Sequence, residues 1–230
     1  MRSVWGNRRA SGSPRSDIAG DPLAQLWAAS EEIVGIRAEP DQVEQFRRYL
    51  ALIVQWNRVH RLTGPKAPEA VVRELFLDAL LFLSRVPHEP ILLADIGSGA
   101  GIPGVPIRIL RPDIRTTLVE SKRKRVSFLS AVKRELELGD LSILEGRAES
   151  VLRDTRGIEA SFDVVLSRGV GTALYETALL YLKPGGLYVA GAPPVTLDRG
   201  VAPGCGLSVE TVRVKRFGIV RSFLIGRKRD

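Results

Sequence analysis

At 230 residues and 25.2 kDa the chain fits one domain, or one domain with a small appendage. It is 44% hydrophobic and 26% charged, which is globular, and its single cysteine, Cys205, excludes an internal disulfide and, with only His60 and His88 for company, argues against a zinc site. No apolar run is long enough to span a bilayer, and a formal charge of +8 on a reduced, cytoplasmic, soluble protein invites a polyanionic partner, most simply nucleic acid.

Residues 1–22 carry Ser, Gly, Arg and Pro without apolar periodicity or a secretory h-region, and read as a mobile basic tail. A first helix is expected over 23–34. Pro40-Asp41 then precedes Val43, Phe46, Leu50, Ile53 and Asn57, which share one helical face. Asp41 with Glu44 forms the acidic version of a capping box, and Gly64-Pro65 stops the element. A third helix over 68–83 puts Val72, Leu75, Ala79 and Phe82 on one face, so 23–88 reads as a small helical region. From 89 to 230 the pattern changes. Apolar runs at 91–96, 116–120, 141–145, 162–167 and 186–190 alternate with helical segments, one of them over 122–138, which implies βαβ units and a mainly parallel sheet. Residues 209–214 and 220–225 flank Gly218 closely and read as an antiparallel pair.

The most informative stretch is Asp95-Ile96-Gly97-Ser98-Gly99-Ala100-Gly101-Ile102-Pro103-Gly104. Its glycines permit a tight turn and bring a ligand close to the backbone, and Pro103 suits the first turn of the next helix. Gly99, Gly101 and Gly104 satisfy the dinucleotide fingerprint, and Glu120 stands where an acid would grip ribose hydroxyls; both suit NAD as well as S-adenosyl-L-methionine. Asp95 two residues before Gly97, the turn Leu182-Lys183-Pro184-Gly185-Gly186 before the fifth strand, and the antiparallel C-terminal pair favour S-adenosyl-L-methionine. The expected fold is therefore α/β: a class I methyltransferase, Rossmann-like, with a mainly parallel seven-stranded sheet and an antiparallel C-terminal strand.

At this point the chain resembles the family of small-subunit ribosomal RNA methyltransferase G, also called glucose-inhibited division protein B, whose members methylate N7 of a guanine in 16S rRNA. The matching residues are Trp56-Asn57-Arg58, Leu62-Thr63, Leu77-Asp78, the loop from Asp95 to Pro106, Arg111-Pro112, Lys124-Arg125-Val126-Ser127-Phe128-Leu129, Arg134-Glu135-Leu136, Arg147-Ala148-Glu149 and Ser167-Arg168. The resemblance implies cofactor contacts at Gly97, Ile102, Ala148, Glu149 and Arg168, with Glu120 on the ribose. It implies a 16S rRNA or small-subunit precursor as substrate, without metal or membrane, for a monomer. The chain departs from the family's usual residues at Arg61 (Asn), Leu75 (His), Ala192 (Lys) and Ser222 (His). Those departures keep two rival readings open: a methyltransferase for a small molecule or protein, and a non-catalytic RNA-binding protein.

The fourth strand ends in Ser167-Arg168-Gly169, without the Asn/Asp-Pro-Pro-aromatic turn that exocyclic amine methylation uses, and Cys205 is far from it as a thiolate nucleophile. Guanine N7 already has an in-plane lone pair, so holding it in line with a sulfonium methyl suffices. Arg168 is thus the candidate catalytic residue, with a structural ion pair as its alternative. The run Lys122-Arg123-Lys124-Arg125 opens a helix and is the candidate RNA contact, with a solvated face as its alternative. Trp56 and Phe46 read as core, Asp78 as a hydrogen-bonded structural acid, and Glu149 alternatively as a helix-dipole charge.

Overall fold

The computed structural model describes residues 21–169, 174–192 and 207–229. Cys205 and nearly all of the tail expected at 1–22 lie outside them. Asp21, however, already belongs to the fold: its carboxylate accepts from the Leu23 N–H at 2.9 Å and pairs with Arg47 at 3.3 Å.

Seven strands form one sheet: β1 (Leu92–Ile96), β2 (Arg115–Glu120), β3 (Leu141–Glu145), β4 (Phe162–Arg168), β5 (Leu182–Ala192), β6 (Leu207–Val214) and β7 (Ile219–Arg227). Their order is β3-β2-β1-β4-β5-β7-β6. β1 to β5 are parallel, and β7 runs antiparallel between β5 and β6. Only a turn of 3-10 helix at Lys215–Phe217 and Gly218, at φ 63°, joins β6 to β7, too short for the crossover that a parallel pair needs. The chain reverses its direction of winding between β1 and β4, so a crevice opens at the carboxyl ends of those two strands.

Burial on both faces explains the continuous apolar runs. Leu93, Leu118, Val164, Leu166, Val189 and Phe223 point to one face; their neighbours Ala94, Val119, Val165, Tyr188, Ala190 and Leu224 point to the other. The second face carries α7 (Ala148–Asp154) and α8 (Tyr175–Tyr181). The first carries α5 (Gly104–Leu110) and α6 (Arg123–Glu135) together with the N-terminal helices α1 (Ala24–Val34), α2 (Pro40–His60), α3 (Pro68–Val71) and α4 (Leu77–Leu83). Phe46 sits edge-on to both Trp27 and Phe76, Trp56 edge-on to Phe128, and Phe82 edge-on to Phe223 on β7. The helical region thus shares one core with the sheet.

Three local expectations are corrected. The capping box of α2 is Glu39 with Gln42, not Asp41 with Glu44: Pro40 takes the first helical position, where its missing N–H is harmless, and the Glu39 N–H donates to Gln42 Oε1 at 2.9 Å. The helix expected over 68–83 is interrupted by a π-helical stretch, Val72–Phe76, between α3 and α4. Pro103 stands one residue before α5 rather than inside it.

Candidate functional site

The loop after β1 encloses a cavity of about 510 Å3 at the crevice. Its glycines divide into two pairs. Gly97 and Gly99 line the cavity in left-handed conformations, at φ 73° and 60°, and a Cβ on Gly99 would meet nothing nearer than 3.8 Å. Gly101 and Gly104 turn inward instead. A Cβ on Gly101 would lie 2.6 Å from Val105 Cγ2, and one on Gly104 would lie 2.6 Å from Leu118 Cδ2 and 2.9 Å from Asp95 Oδ2. Gly99 leaves room for a ligand, Gly104 lets α5 press against β1 and β2, and Gly101 makes way for Val105, Leu129 and Tyr49.

Asp95 is fully buried under this loop. Its Oδ2 accepts from the Gly104 N–H at 2.9 Å, while Oδ1 has no partner. Burial pushes the carboxyl up to about 7. Ser98 Oγ is likewise buried and unpartnered, on a residue that lines the cavity. From the helical layer, Tyr49 donates its hydroxyl to the Ala100 carbonyl at 2.5 Å and fixes the loop from behind.

Glu120, at the end of β2, is 3% exposed. One carboxylate oxygen accepts from the Gly99 N–H at 2.9 Å and the other from the Lys122 N–H at 2.8 Å, so it ties the glycine loop to the start of α6. Arg125 Nη1 lies 3.5 Å from it. That negative charge offsets the cost of a basic first turn in which α6 carries no acid. The basic run is therefore split. Lys122, Arg123 and Lys124 are exposed, while Arg125 is half-buried and lines the cavity. Two positions beyond Arg123, Arg125 lies on the opposite side of α6, and Lys122 precedes the helix in an extended conformation.

Ile102 and Arg168 also line the cavity. Ala148 and Glu149 do not: they open α7 beside the end of β3. Ala148 is buried, with its carbonyl accepting from the Tyr181 hydroxyl at 2.8 Å, and Glu149 is exposed with Thr177 Oγ1 3.3 Å away. The structure thus brings Gly97, Ile102 and Arg168 together around one cavity, holds Glu120 behind Gly99, and leaves Ala148 and Glu149 outside the lining.

Sequence reasoning singled out part of the opposite wall, Arg61 and Leu75 as departures from the family and Leu62-Thr63 as matching it, but not Glu74. That wall comes from the helical region: residues 61–65, Glu74 and Leu75. Asn57 shapes the first of these segments. Its Nδ2 donates to Thr63 Oγ1 at 2.7 Å and to the Pro65 carbonyl at 2.9 Å, and its Oδ1 accepts from the Thr63 N–H at 2.8 Å. The spacing of Asn57 and Thr63 was the available signal. Glu74 and Leu75 belong to the π-helical stretch, a local distortion frequent at functional sites.

Arg168 ends β4 and forms the ion pair that was its alternative reading: Nε donates to Asp78 Oδ2 at 2.7 Å, and Nη2 to the Glu74 carbonyl at 3.3 Å. Asp78 is a hydrogen-bonded acid, as expected. Ser167 is buried, its hydroxyl 2.8 Å from that of Tyr188. Among the described residues no group of His, Cys, Asp and Glu is arranged to hold a metal ion, and no helix is long and apolar enough to cross a membrane.

A family model described as rRNA small subunit methyltransferase G matches residues 42–191, from α2 through β5. The chain belongs to that family. A relative named ribosomal RNA small subunit methyltransferase G in Desulfitobacterium hafniense is 40% identical over 167 residues, 72% of this chain and 69% of that protein. One of the same name in Streptococcus pneumoniae is 38% identical over 153 residues, 65% of this chain and 64% of that one. Two solved structures share the fold. A methyltransferase from Pyrococcus furiosus superposes with a TM-score of 0.55 at 17% identity, covering 91% of this chain and 97% of that one. A precorrin-6y C5,15-methyltransferase from Geobacter metallireducens gives 0.51 at 20% identity, covering 75% and 93%. Among members of the methyltransferase G family this chain carries Arg61 at a left-handed position, φ 45° and ψ 52°, at the end of α2, where the family's usual Asn is favoured by backbone conformation alone. That departure is conformational as well as chemical. Leu75, by contrast, puts a buried apolar side chain on the cavity wall in place of the usual His. Ala192 and Ser222 are register partners across β5 and β7, and Ser222 pairs with Thr211 Oγ1 at 2.9 Å.

Proposed function

We infer that this protein transfers a methyl group from S-adenosyl-L-methionine to 16S rRNA, at N7 of a guanine. The family match over residues 42–191 carries the reading, because that span contains every residue that lines the glycine-loop cavity. The residues present fit the cofactor. Gly97 and Gly99 line the cavity, with open space where a Cβ on Gly99 would stand; Ser98 Oγ is a buried hydroxyl in need of a partner, and Glu120 is a buried carboxylate behind it. The bound cofactor supplies an activated methyl on a sulfonium.

The roles follow from the chemistry of the side chains. Gly97 lets the backbone lie along the amino-acid end of the cofactor, and Ile102 packs at the helix start. Glu120 grips the ribose with lone pairs that the Gly99 and Lys122 amides leave open. Ala148 and Glu149 meet the adenine through a backbone amide and a carboxylate at the neighbouring strand end. Arg168, always charged and planar, stands at the methyl-transfer point and orients the guanine. No base is required, since N7 loses no proton before attack; the buried Ser167 hydroxyl, already against Tyr188, suits that chemistry. Exposed Lys122, Arg123 and Lys124 contact RNA phosphates.

Single-turnover transfer of labelled methyl to small-subunit RNA, followed by mass spectrometry of the nucleosides, tests the reading. Labelled 7-methylguanosine is the expected product. A protein that binds the cofactor in calorimetry but labels no rRNA overturns it.

A further inference from the structure

Arg168 borders two cavities. One is the glycine-loop cavity. The other, about 290 Å3, lies on the far side of Arg168 and is enclosed by Arg73, Asp78, Arg221 and the turn at 218–220, with Glu74 shared between the two. Asp78 is 1% exposed and is the pivot of this arrangement. One of its oxygens accepts from Arg168 Nε at 2.7 Å and the other from Arg221 Nε at 2.6 Å. A single carboxylate therefore holds two guanidinium groups by their inner nitrogens. Among the described residues neither Nη of Arg221, nor Nη1 of Arg168, donates to a protein acceptor, and none of these atoms is buried without a partner. They reach solvent.

The charge balance favours an anion. Three arginines face Asp78 and Glu74, and Glu74 is itself paired with Arg73 at 3.1 Å. Outward Nη groups on fixed planar forks match the oxygens of a phosphate, and a carboxylate that has fixed the forks in advance removes much of the entropy of ordering them. Glu74 and Arg73 come from the π-helical stretch, Arg168 from β4 and Arg221 from β7, so the pocket joins three separate parts of the chain.

We propose that this second cavity is a phosphate pocket that takes a backbone phosphate of the RNA acceptor beside the guanosine whose base enters the glycine-loop cavity past Arg168. The inference rests on the rRNA-methylation reading and adds to it a residue, Arg221, and a subsite. Asp78 is the positioning residue: it touches no substrate and acts by aiming the two forks.

The test is phosphate-ethylation interference on small-subunit rRNA, with wild type, Arg221→Gln, Arg221→Lys and Arg73→Gln compared after thermal melting has verified each fold. Wild type is expected to show interference at a phosphate next to the methylated guanosine. That signal disappears in Arg221→Gln and weakens in Arg73→Gln. In both, the KM for RNA rises with cofactor affinity unchanged, and the slope of log affinity against log salt falls by about 0.7 per lost contact. Arg221→Lys retains the salt slope but loses affinity, since a point charge replaces a fork. An unchanged interference pattern and salt slope in folded Arg221→Gln overturns the pocket. Should that variant fail to fold, Arg73→Gln, on a side chain 63% exposed, decides by the same criterion. Wild type that labels no rRNA overturns the methylation reading separately, because the interference experiment reads binding alone.

Discussion

The two sides of Arg168 are built from different materials. The glycine-loop side is made by backbone: Gly97 and Gly99 face the cavity with no side chain, and the two carboxylates beneath them, Asp95 and Glu120, are held by the amides of Gly104, Gly99 and Lys122. The Arg221 side is made by side chains, two guanidinium groups on one buried carboxylate. The first kind of site tolerates substitution around it as long as φ and close packing are kept. The second hangs on Asp78: losing one arginine leaves the carboxylate its other partner, whereas losing the carboxylate leaves both guanidinium groups without theirs.

Asp78→Ala presses hardest on this contrast. It strips Arg168 and Arg221 of their shared partner and is expected to cost about 3–5 kcal/mol in urea denaturation. A cost below 1 kcal/mol would mean that solvent already satisfies both arginines and that the pivot is dispensable.

A pH scan examines the backbone-built side. Asp95 has a folded pKa of about 7, above the usual carboxylate value of about 3.9, because burial opposes its charge. Its contribution to stability is therefore complete below about pH 4 and is lost as pH rises to about 7, at about 1.4 kcal/mol per unit. Asp95→Asn removes that slope while its amide oxygen still accepts from Gly104. Melting temperatures of the two proteins are expected to converge at low pH and diverge at pH 8, with the variant higher. Parallel curves would show that Asp95 is ionised throughout.

The smallest effect separates the two pairs of glycines. Gly104→Ala pushes a methyl into Leu118 and Asp95 and is expected to cost about 1–3 kcal/mol of stability. Gly97→Val is expected to abolish cofactor binding in calorimetry while the circular dichroism spectrum stays as in wild type. Equal cofactor binding in that variant would place the ligand elsewhere.

The contrast also explains what could be read from the sequence. Asp95 meets Gly104 across nine positions and Glu120 meets Gly99 across 21, so one short motif and one strand end announce the backbone-built side. Asp78 meets Arg168 across 90 positions and Arg221 across 143, and only the folded sheet brings β4 and β7 against the start of α4. The strands were legible because burial on both faces leaves continuous apolar runs. The π-helical stretch was not, since Val72, Leu75, Ala79 and Phe82 keep helical spacing whether the ladder is α or π. The position of Arg125 was hidden for a related reason: charge composition counts a basic run as one patch, while the helix turns one of its members toward Glu120.

The wall formed by residues 61–65, Glu74 and Leu75 is part of the same helical layer whose Phe46, Tyr49 and Phe76 fill the core over the sheet. The wall of the cavity and the cohesion of the protein therefore rest on the same side chains. A substitution at Phe46, Tyr49 or Phe76 therefore disturbs the footing of the cavity wall as well as the core, since a close-packed interior transmits strain.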